Sequence, residues 1–390
     1  MIESKRISKL PTYIFARLNK LKSEARKEGK DIIDLGMGNP DQPPSPKIIA
    51  KLIETAQKSK VHGYSTSKGI PHLREAITKR YEEKYGVKLN PETEAVVCIG
   101  VKEGFSHLAL AILDEGDTVI VPTPTYPSHI YHIAIAGGNL VTTPLLDENS
   151  FIPELERTVK KRAPKAKVLV ISFPHNPTTR TASIEFFEEI VKFAKKHKLI
   201  VIHDFAYADI CFDGYKAPSF MQAKDAKKIG VEFYSISKTY NMAGWRVGFL
   251  VGNKDIVGAL IKIKSYYDYG IFTPIQVATI QALNGPQDYV EKTLENYKIR
   301  RDVLVNGFNN MGWHVELPEA TMYVWAPLPE KFKKEGSLNF SIRLLKEADV
   351  VCSPGIGFGD NGEGFVRFAL VENEHRIKQA VRGIKKVIQK

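Results

Sequence analysis

The sequence predicts an α/β protein in which a large, mostly parallel sheet domain is followed by a smaller α+β domain. Short β-branched runs alternate with longer helical patterns from about residue 90 onward. Strands and helices in that rhythm form βαβ units, whose parallel strands are covered by helices on both faces. After Asn284-Gly285-Pro286 the rhythm stops and one long helical run takes over. The chain has 390 residues, more than one ordinary core accommodates and enough for a large domain plus a small one.

Val96–Ile99 reads as the first strand, followed by a helix from about Lys102 to Leu113. Thr118–Val121, Leu140–Thr143, Val168–Ser172 and Leu199–His203 continue the strands, with helical stretches near 128–136, 153–162 and 183–197 between them. Glu232–Ser235 and Val247–Val251 add two more. The helical run from about Gln287 to Met311 leads into short strands near 321–326 and 364–370, then a final Lys- and Arg-rich helix from Glu374. The expected division is 1–45 as an N-terminal arm and part of the small domain, 46–285 as the large domain, and 286–390 as the C-terminal small domain.

Hydrophobic residues make up 43% and charged residues 26%, an ordinary balance for a soluble globular chain. No apolar run approaches the roughly 18–20 residues that cross a bilayer. Met1-Ile-Glu-Ser-Lys-Arg6 has no apolar stretch behind its charges, unlike a secretory signal. A cytoplasmic protein with no membrane partner is the expectation. The net charge of +12 raises the question of nucleic acid, but the basic residues fall in short clusters such as Lys160-Lys161-Arg162 within helical patterns. These read as solvated faces, with an anion-attracting surface as the alternative, and no nucleic-acid partner is expected. Cys98, Cys211 and Cys352 are far apart and show no Cys/His ligand spacing, so neither a disulfide framework nor a metal site is expected.

The strongest chemical signal is Ser235-Ile-Ser237-Lys238-Thr-Tyr-Asn-Met-Ala-Gly-Trp-Arg246-Val-Gly248. A lysine just beyond a strand, flanked by hydroxyls and followed by an arginine, suits a Schiff-base lysine beside a phosphate pocket. Ser235, Ser237 and Arg246 would bind phosphate oxygens, the guanidinium through paired charge-assisted bonds. Their positive field also lowers the lysine pKa and makes its amine a better nucleophile.

This segment resembles the cofactor-lysine signature of class I aminotransferases, members of the fold-type-I enzymes that use pyridoxal 5′-phosphate (PLP), and the similarity runs over essentially the whole chain. Val101–Leu108, Ile263–Gly270 and Cys352–Gly359 carry a closer likeness to bacterial alanine (glutamate–pyruvate) and LL-diaminopimelate aminotransferases, with bacterial aspartate aminotransferases as related enzymes.

The resemblance implies a role for each further motif. In His203-Asp204-Phe-Ala-Tyr207-Ala-Asp209, Asp204 follows an apolar strand and would hold the pyridine nitrogen protonated, making the ring an electron sink. Tyr207 would turn its hydroxyl to the ring O3′, and Asn176, in the Asn176-Pro177 turn after strand 168–172, would share that oxygen. Helix capping is the alternative for Asp204, and His203 reads as a packing residue. The amides of Val101 and Lys102, at a helix start, would hold phosphate. A Ser or Thr is common in the family where Val101 stands, so any hydroxyl contact from there is missing. Tyr126 matches the aromatic residue stacked on the cofactor ring, core packing being the alternative. Arg367 matches the arginine that forks onto the substrate α-carboxylate, and the loop Leu35–Asp41, through Gly38, resembles the backbone that approaches the same group. Tyr64 matches a tyrosine that reaches the phosphate of a neighbouring subunit, which implies a homodimer with shared sites.

The resulting expectation is transfer of an amino group between an amino acid such as alanine or aspartate and 2-oxoglutarate, with amino-acid and 2-oxo-acid substrates. LL-diaminopimelate is an alternative donor, and a PLP-dependent carbon–sulfur β-lyase or a non-catalytic regulator are alternative classes. No arginine for a distal carboxylate stands in 264–275, whereas Lys102 occupies the place of a lysine that contributes in one aspartate aminotransferase subgroup.

Overall fold

The computed structural model describes residues 2, 8, 10 and 15–390, so the opening segment Met1–Arg6, apart from Ile2, lies outside the described residues. The strands are β1 (Ile33–Asp34), β2 (Ala95–Cys98), β3 (Thr118–Thr123), β4 (Asn139–Pro144), β5 (Ala166–Ser172), β6 (Ile200–Asp204), β7 (Gly230–Ser235) and β8 (Gly248–Gly252). Four more follow: β9 (Tyr323–Pro327), β10 (Val350–Val351), β11 (Ser353–Pro354) and β12 (Phe365–Ala369).

A seven-stranded sheet runs in the order β2-β8-β7-β6-β5-β3-β4. The pairs from β7 through β4 are parallel, whereas β8 is antiparallel to both of its neighbours. The sheet is therefore mixed only at β8, as a mostly parallel α/β sheet requires. Its strands are buried on both faces: Val97, Ile120, Leu169 and Val201 face one apolar core, and Val96, Val119, Val170 and Ile202 the other. Alternate residues of each strand thus serve opposite cores, which is why the strands read as continuous apolar runs. The helix Ile184–His197 shows the complementary logic. Its buried Phe186, Phe187, Ile190, Val191 and Ala194 form one stripe, Ser183 caps its start by accepting from the Phe186 amide, and Lys198 in a left-handed conformation ends it.

A second assembly contains the antiparallel sheet β11-β12-β9 and the parallel pair β1-β10, around a core that includes Tyr297, Leu304, Phe308, Trp313 and Phe368. The pairing of Ile33-Asp34 with Val350-Val351 ties the N-terminal segment to the C-terminal part of the chain. Among the described residues no helix is long and apolar enough to cross a membrane.

Among the differences from the sequence reading are two element boundaries. The helix assigned near 153–162 begins at Glu148, because the Asp147 side chain accepts from the Ser150 amide at 3.0 Å and caps a turn ahead of Pro153. Asp204 is the last residue of β6 rather than the first residue after it.

Candidate active site

The carboxyl ends of the central strands bring the chemistry together. Ser172 ending β5 lies opposite Asp204 ending β6, and Asp204 lies opposite Phe233 of β7. Ser235 of β7 and Cys98 of β2 both pair with Gly248, so the Gly100–Val101 turn after β2 meets Ser235 across β8. A cavity of about 600 Å³ opens at this edge. Val101, Lys102, Tyr126, Asn176, Asp204 and Tyr207 line it on one side. Ser235, Ser237, Lys238, Arg246, Gly38 and Arg367 complete it.

At one end of the cavity the helix Val101–Ile112 starts at Gly100, whose φ of +79° is left-handed. A Cβ on Gly100 would come within 2.2 Å of the Arg246 guanidinium, so only glycine lets that arginine lie over the turn. Arg246 is itself left-handed, with φ 56°, and its Nη1 donates to the Ala243 carbonyl at 2.8 Å. A Cβ on Gly248 would sit 2.9 Å from the Val101 amide nitrogen. Ser235 accepts from the Ser237 amide at 3.2 Å and caps the short helix that carries Lys238. Helix amides, two hydroxyls and a guanidinium therefore converge on one anion-receptive corner.

Lys238 keeps part of its surface accessible and lines the cavity. Its Nζ donates to the Gly38 carbonyl at 2.6 Å. Enclosure by the protein depresses its pKa to about 8, with the Arg367 and Arg246 guanidiniums adding to the shift. A substantial neutral fraction near neutral pH is what a nucleophilic and proton-carrying amine needs.

Asp204 Oδ2 lies 2.8 Å from His129 Nε2, and His129 Nδ1 lies 3.0 Å from the Thr125 hydroxyl. Asp204 Oδ1 accepts from the Ala206 amide at 3.1 Å, a turn contact that leaves the carboxylate fixed and facing the cavity. Asn176 donates to the Tyr207 hydroxyl at 3.4 Å, and Tyr207 shares a 3.0 Å bond with the Tyr323 hydroxyl. Burial, then Tyr323, push the Tyr207 hydroxyl well above its usual pKa, so it stays protonated.

Arg367 donates through Nη1 to Asn176 Oδ1 at 2.6 Å and through Nη2 to the Gly36 carbonyl at 3.0 Å. Its guanidinium stacks 4.0 Å above the Tyr323 ring and 4.7 Å from Phe358. It is buried, with no carboxylate among these partners, and its Nε has no hydrogen-bond partner. A buried cation held by neutral groups and aromatic faces is poised for a ligand carboxylate.

Tyr64 stands apart. It is 88% exposed, lies against Tyr269 with ring centroids 4.5 Å apart, and does not line the cavity of its own chain. His203 is fully buried, 2.8 Å from Glu232 Oε2, as a packing residue would be. The sequence reading missed His129, Tyr323, Ser353 and His132, all lining the cavity. Burial and the nearby Lys102 charge push His132 down to about 4. Only His129 left a local signal, three residues after Tyr126.

The comparisons with known proteins agree with this geometry. The family model for aminotransferase class I and II matches residues 30–384. The chain is 55% identical over 380 residues to the glutamate–pyruvate aminotransferase AlaC of Escherichia coli, covering 97% of this chain and 92% of the relative. It is 44% identical over 390 residues to the LL-diaminopimelate aminotransferase of Moorella thermoacetica, covering 100% and 99%. Among solved structures, substrate-bound BacF from Bacillus subtilis superposes with a TM-score of 0.93 at 38% identity, covering 99% of this chain and 98% of that one. From residues to fold to relatives, these findings agree: the chain belongs to the class I and II aminotransferases and moves an amino group from one carbon skeleton to another.

Proposed function

We propose that this chain binds PLP through Lys238 and exchanges amino groups between glutamate/2-oxoglutarate and alanine/pyruvate. The observation that carries the reading is the pairing, in one cavity, of a lysine amine with a pKa near 8 and a buried arginine that has no carboxylate among its partners. The residues present fit the cofactor. The corner formed by Val101, Lys102, Ser235, Ser237 and Arg246 would take the phosphate, and a Cβ at Gly100 would collide with Arg246 there. Asp204, steadied by His129, would hold the proton on the pyridine nitrogen, while Asn176 and Tyr207 would donate to the ring oxygen and Tyr126 would stack on the ring.

When bound, PLP supplies an electron sink beside the substrate Cα. Arg367 would fork onto the substrate α-carboxylate, next to the Gly38 backbone, and hold Cα over Lys238. The Lys238 amine would take the proton from the substrate Cα and deliver it to C4′ of the cofactor, on the far side of the shared nitrogen.

We further propose a homodimer in which the exposed Tyr64 reaches the partner's phosphate corner, since it has no place in its own cavity. A monomer in sedimentation at micromolar concentration would remove that part of the reading. The proposed division keeps 46–285 as the cofactor domain, with 1–45 and 286–390 in the small domain. The unpaired thiols of Cys98, Cys211 and Cys352 support a reducing, cytoplasmic setting.

Alanine is proposed as donor on the likeness to the E. coli glutamate–pyruvate enzyme. LL-diaminopimelate is the second reading, favoured by a likeness at 44% identity spanning the full chain. A donor panel of alanine, aspartate and diaminopimelate against 2-oxoglutarate separates them. Lys102 lines the cavity with an exposed side chain, and a distal carboxylate there would gain a charge-assisted contact. Lys102→Ala is expected to raise KM for 2-oxoglutarate by about 10- to 100-fold. The same change should leave pyruvate, which lacks that carboxylate, nearly unaffected. An equal loss for both substrates would assign Lys102 to the phosphate corner instead.

A further inference from the structure

The helix Val101–Ile112 carries an acidic residue in its first turn, Glu103, directly after the Val101 and Lys102 amides proposed to hold phosphate. A carboxylate there opposes a phosphate dianion and spends part of the helix's positive end. The position has a local reason. Glu103 Oε2 accepts from the Ile99 amide at 2.7 Å and so closes the Ile99–Gly100 turn, a one-sided cap because Gly100 has no side chain to return a bond. The turn thus needs an acceptor at 103, and the phosphate corner needs its charge cancelled.

Glu103 meets the first need and Lys264 the second. The Lys264 side chain is 0% exposed, and its Nζ donates to Glu103 Oε1 at 3.1 Å and to Asp268 Oδ2 at 2.9 Å. Burial alone would discharge an ammonium, but Cys98, then Glu103 and Asp268, hold its pKa above the ordinary value. The same cluster contains His107, whose Nδ1 lies 2.5 Å from Glu103 Oε1. Glu103, His107 and Asp268 could by spacing hold a metal ion, since their donor atoms lie within 4.8 Å of one another. The Lys264 ammonium is already bonded to two of the three, so the cluster is complete with an internal cation. Asp268 extends the link: its Oδ1 accepts from the Gly270 amide at 2.7 Å and its carbonyl accepts from the Ser67 hydroxyl at 2.5 Å.

We propose that Lys264 is a positioning residue for the cofactor's phosphate: from inside the protein it offsets most of the Glu103 charge, so that the carboxylate can shape the Gly100 turn with little repulsion of the anion beyond it. This rests on the reading that PLP's phosphate lies at Val101 and Lys102, and it predicts an electrostatic effect specific to the phosphate.

The test is spectral titration of the full-length apoenzyme with PLP and, in parallel, with pyridoxal, which lacks the phosphate. Lys264→Met should weaken PLP by about 10-fold or more and change pyridoxal by no more than about twofold. Adding Glu103→Gln to Lys264→Met should recover most of the PLP affinity, because glutamine still accepts from the Ile99 amide. Glu103→Gln alone should tighten PLP by about threefold. This single variant keeps Lys264 paired with Asp268, so if Lys264→Met fails to fold its size decides the matter: tightening by more than about 10-fold would mean that Lys264 leaves Glu103 unscreened and would overturn the proposal. Equal weakening of PLP and pyridoxal, a double variant no better than Lys264→Met, or weaker PLP binding by Glu103→Gln would each overturn the proposal. A wild-type protein that binds PLP no tighter than pyridoxal would instead remove the phosphate reading itself, and this proposal with it.

Discussion

Lys238→Ala is expected to lower turnover by about 10⁴-fold or more while leaving the protein folded. The size follows from the two functions proposed for one atom, the covalent hold on the cofactor and the proton shuttle at Cα, which the other cavity amines are not placed to take over. Lys102 belongs to the helix that starts the phosphate corner, and Lys22 is paired with Asp34 at 2.8 Å. The expected stability has a definite sign. A lysine whose folded pKa is depressed from 10.5 to about 8 costs the folded state stability: the cost is full below about pH 8, where an ammonium sits in an enclosed site, and fades as the pH rises toward 10.5. Removing it should therefore leave Tm unchanged or raise it at pH 7. A large fall in Tm together with the lost turnover would mean that Lys238 supports the fold.

Arg367→Leu is the second large effect. A buried guanidinium that binds the α-carboxylate through two bonds contributes to every substrate alike, so kcat/KM should fall by about 100-fold or more for amino and oxo acids of any side chain. That uniformity contrasts with Lys102→Ala, whose effect should follow the distal carboxylate. Arg367 also helps to depress Lys238. Its removal should raise the Lys238 pKa, so the pH at which the apoenzyme half-maximally captures PLP should move upward from about 8. A capture profile that stays in place while kcat/KM falls would limit Arg367 to substrate binding.

Much of this site was legible because its residues follow apolar strands. Asn176, Asp204 and Lys238 each stand at or just beyond the end of a buried run, and the parallel register of β5, β6 and β7 brings those ends to one edge. Arg246 was legible because it belongs to the lysine's own segment. What escaped is held by contacts between distant parts of the chain. His129 reaches Asp204 across 75 residues, and Tyr323 reaches Tyr207 across 116. No local period encodes such pairs. The same holds for Lys264, which sits on the helix Lys254–Tyr267 and meets Glu103 from 161 residues away. Helices such as Pro71–Tyr85 were not assigned because they are rich in charge, and one of those charges, Arg74, is buried with the Gly69 carbonyl and the Glu92 carboxylate as partners. Tyr64 was legible as a motif, but the structure leaves it exposed and outside the cavity of its own chain.

The most direct measurement is chemical. The purified protein, loaded with PLP, should absorb in the visible, and borohydride should fix the cofactor irreversibly to the chain. Proteolysis and mass spectrometry should then find the adduct on Lys238, in the peptide that contains Ser235, Ser237 and Arg246. An adduct mapped to Lys102, Lys264 or any other lysine, or no adduct at all, would contradict the account.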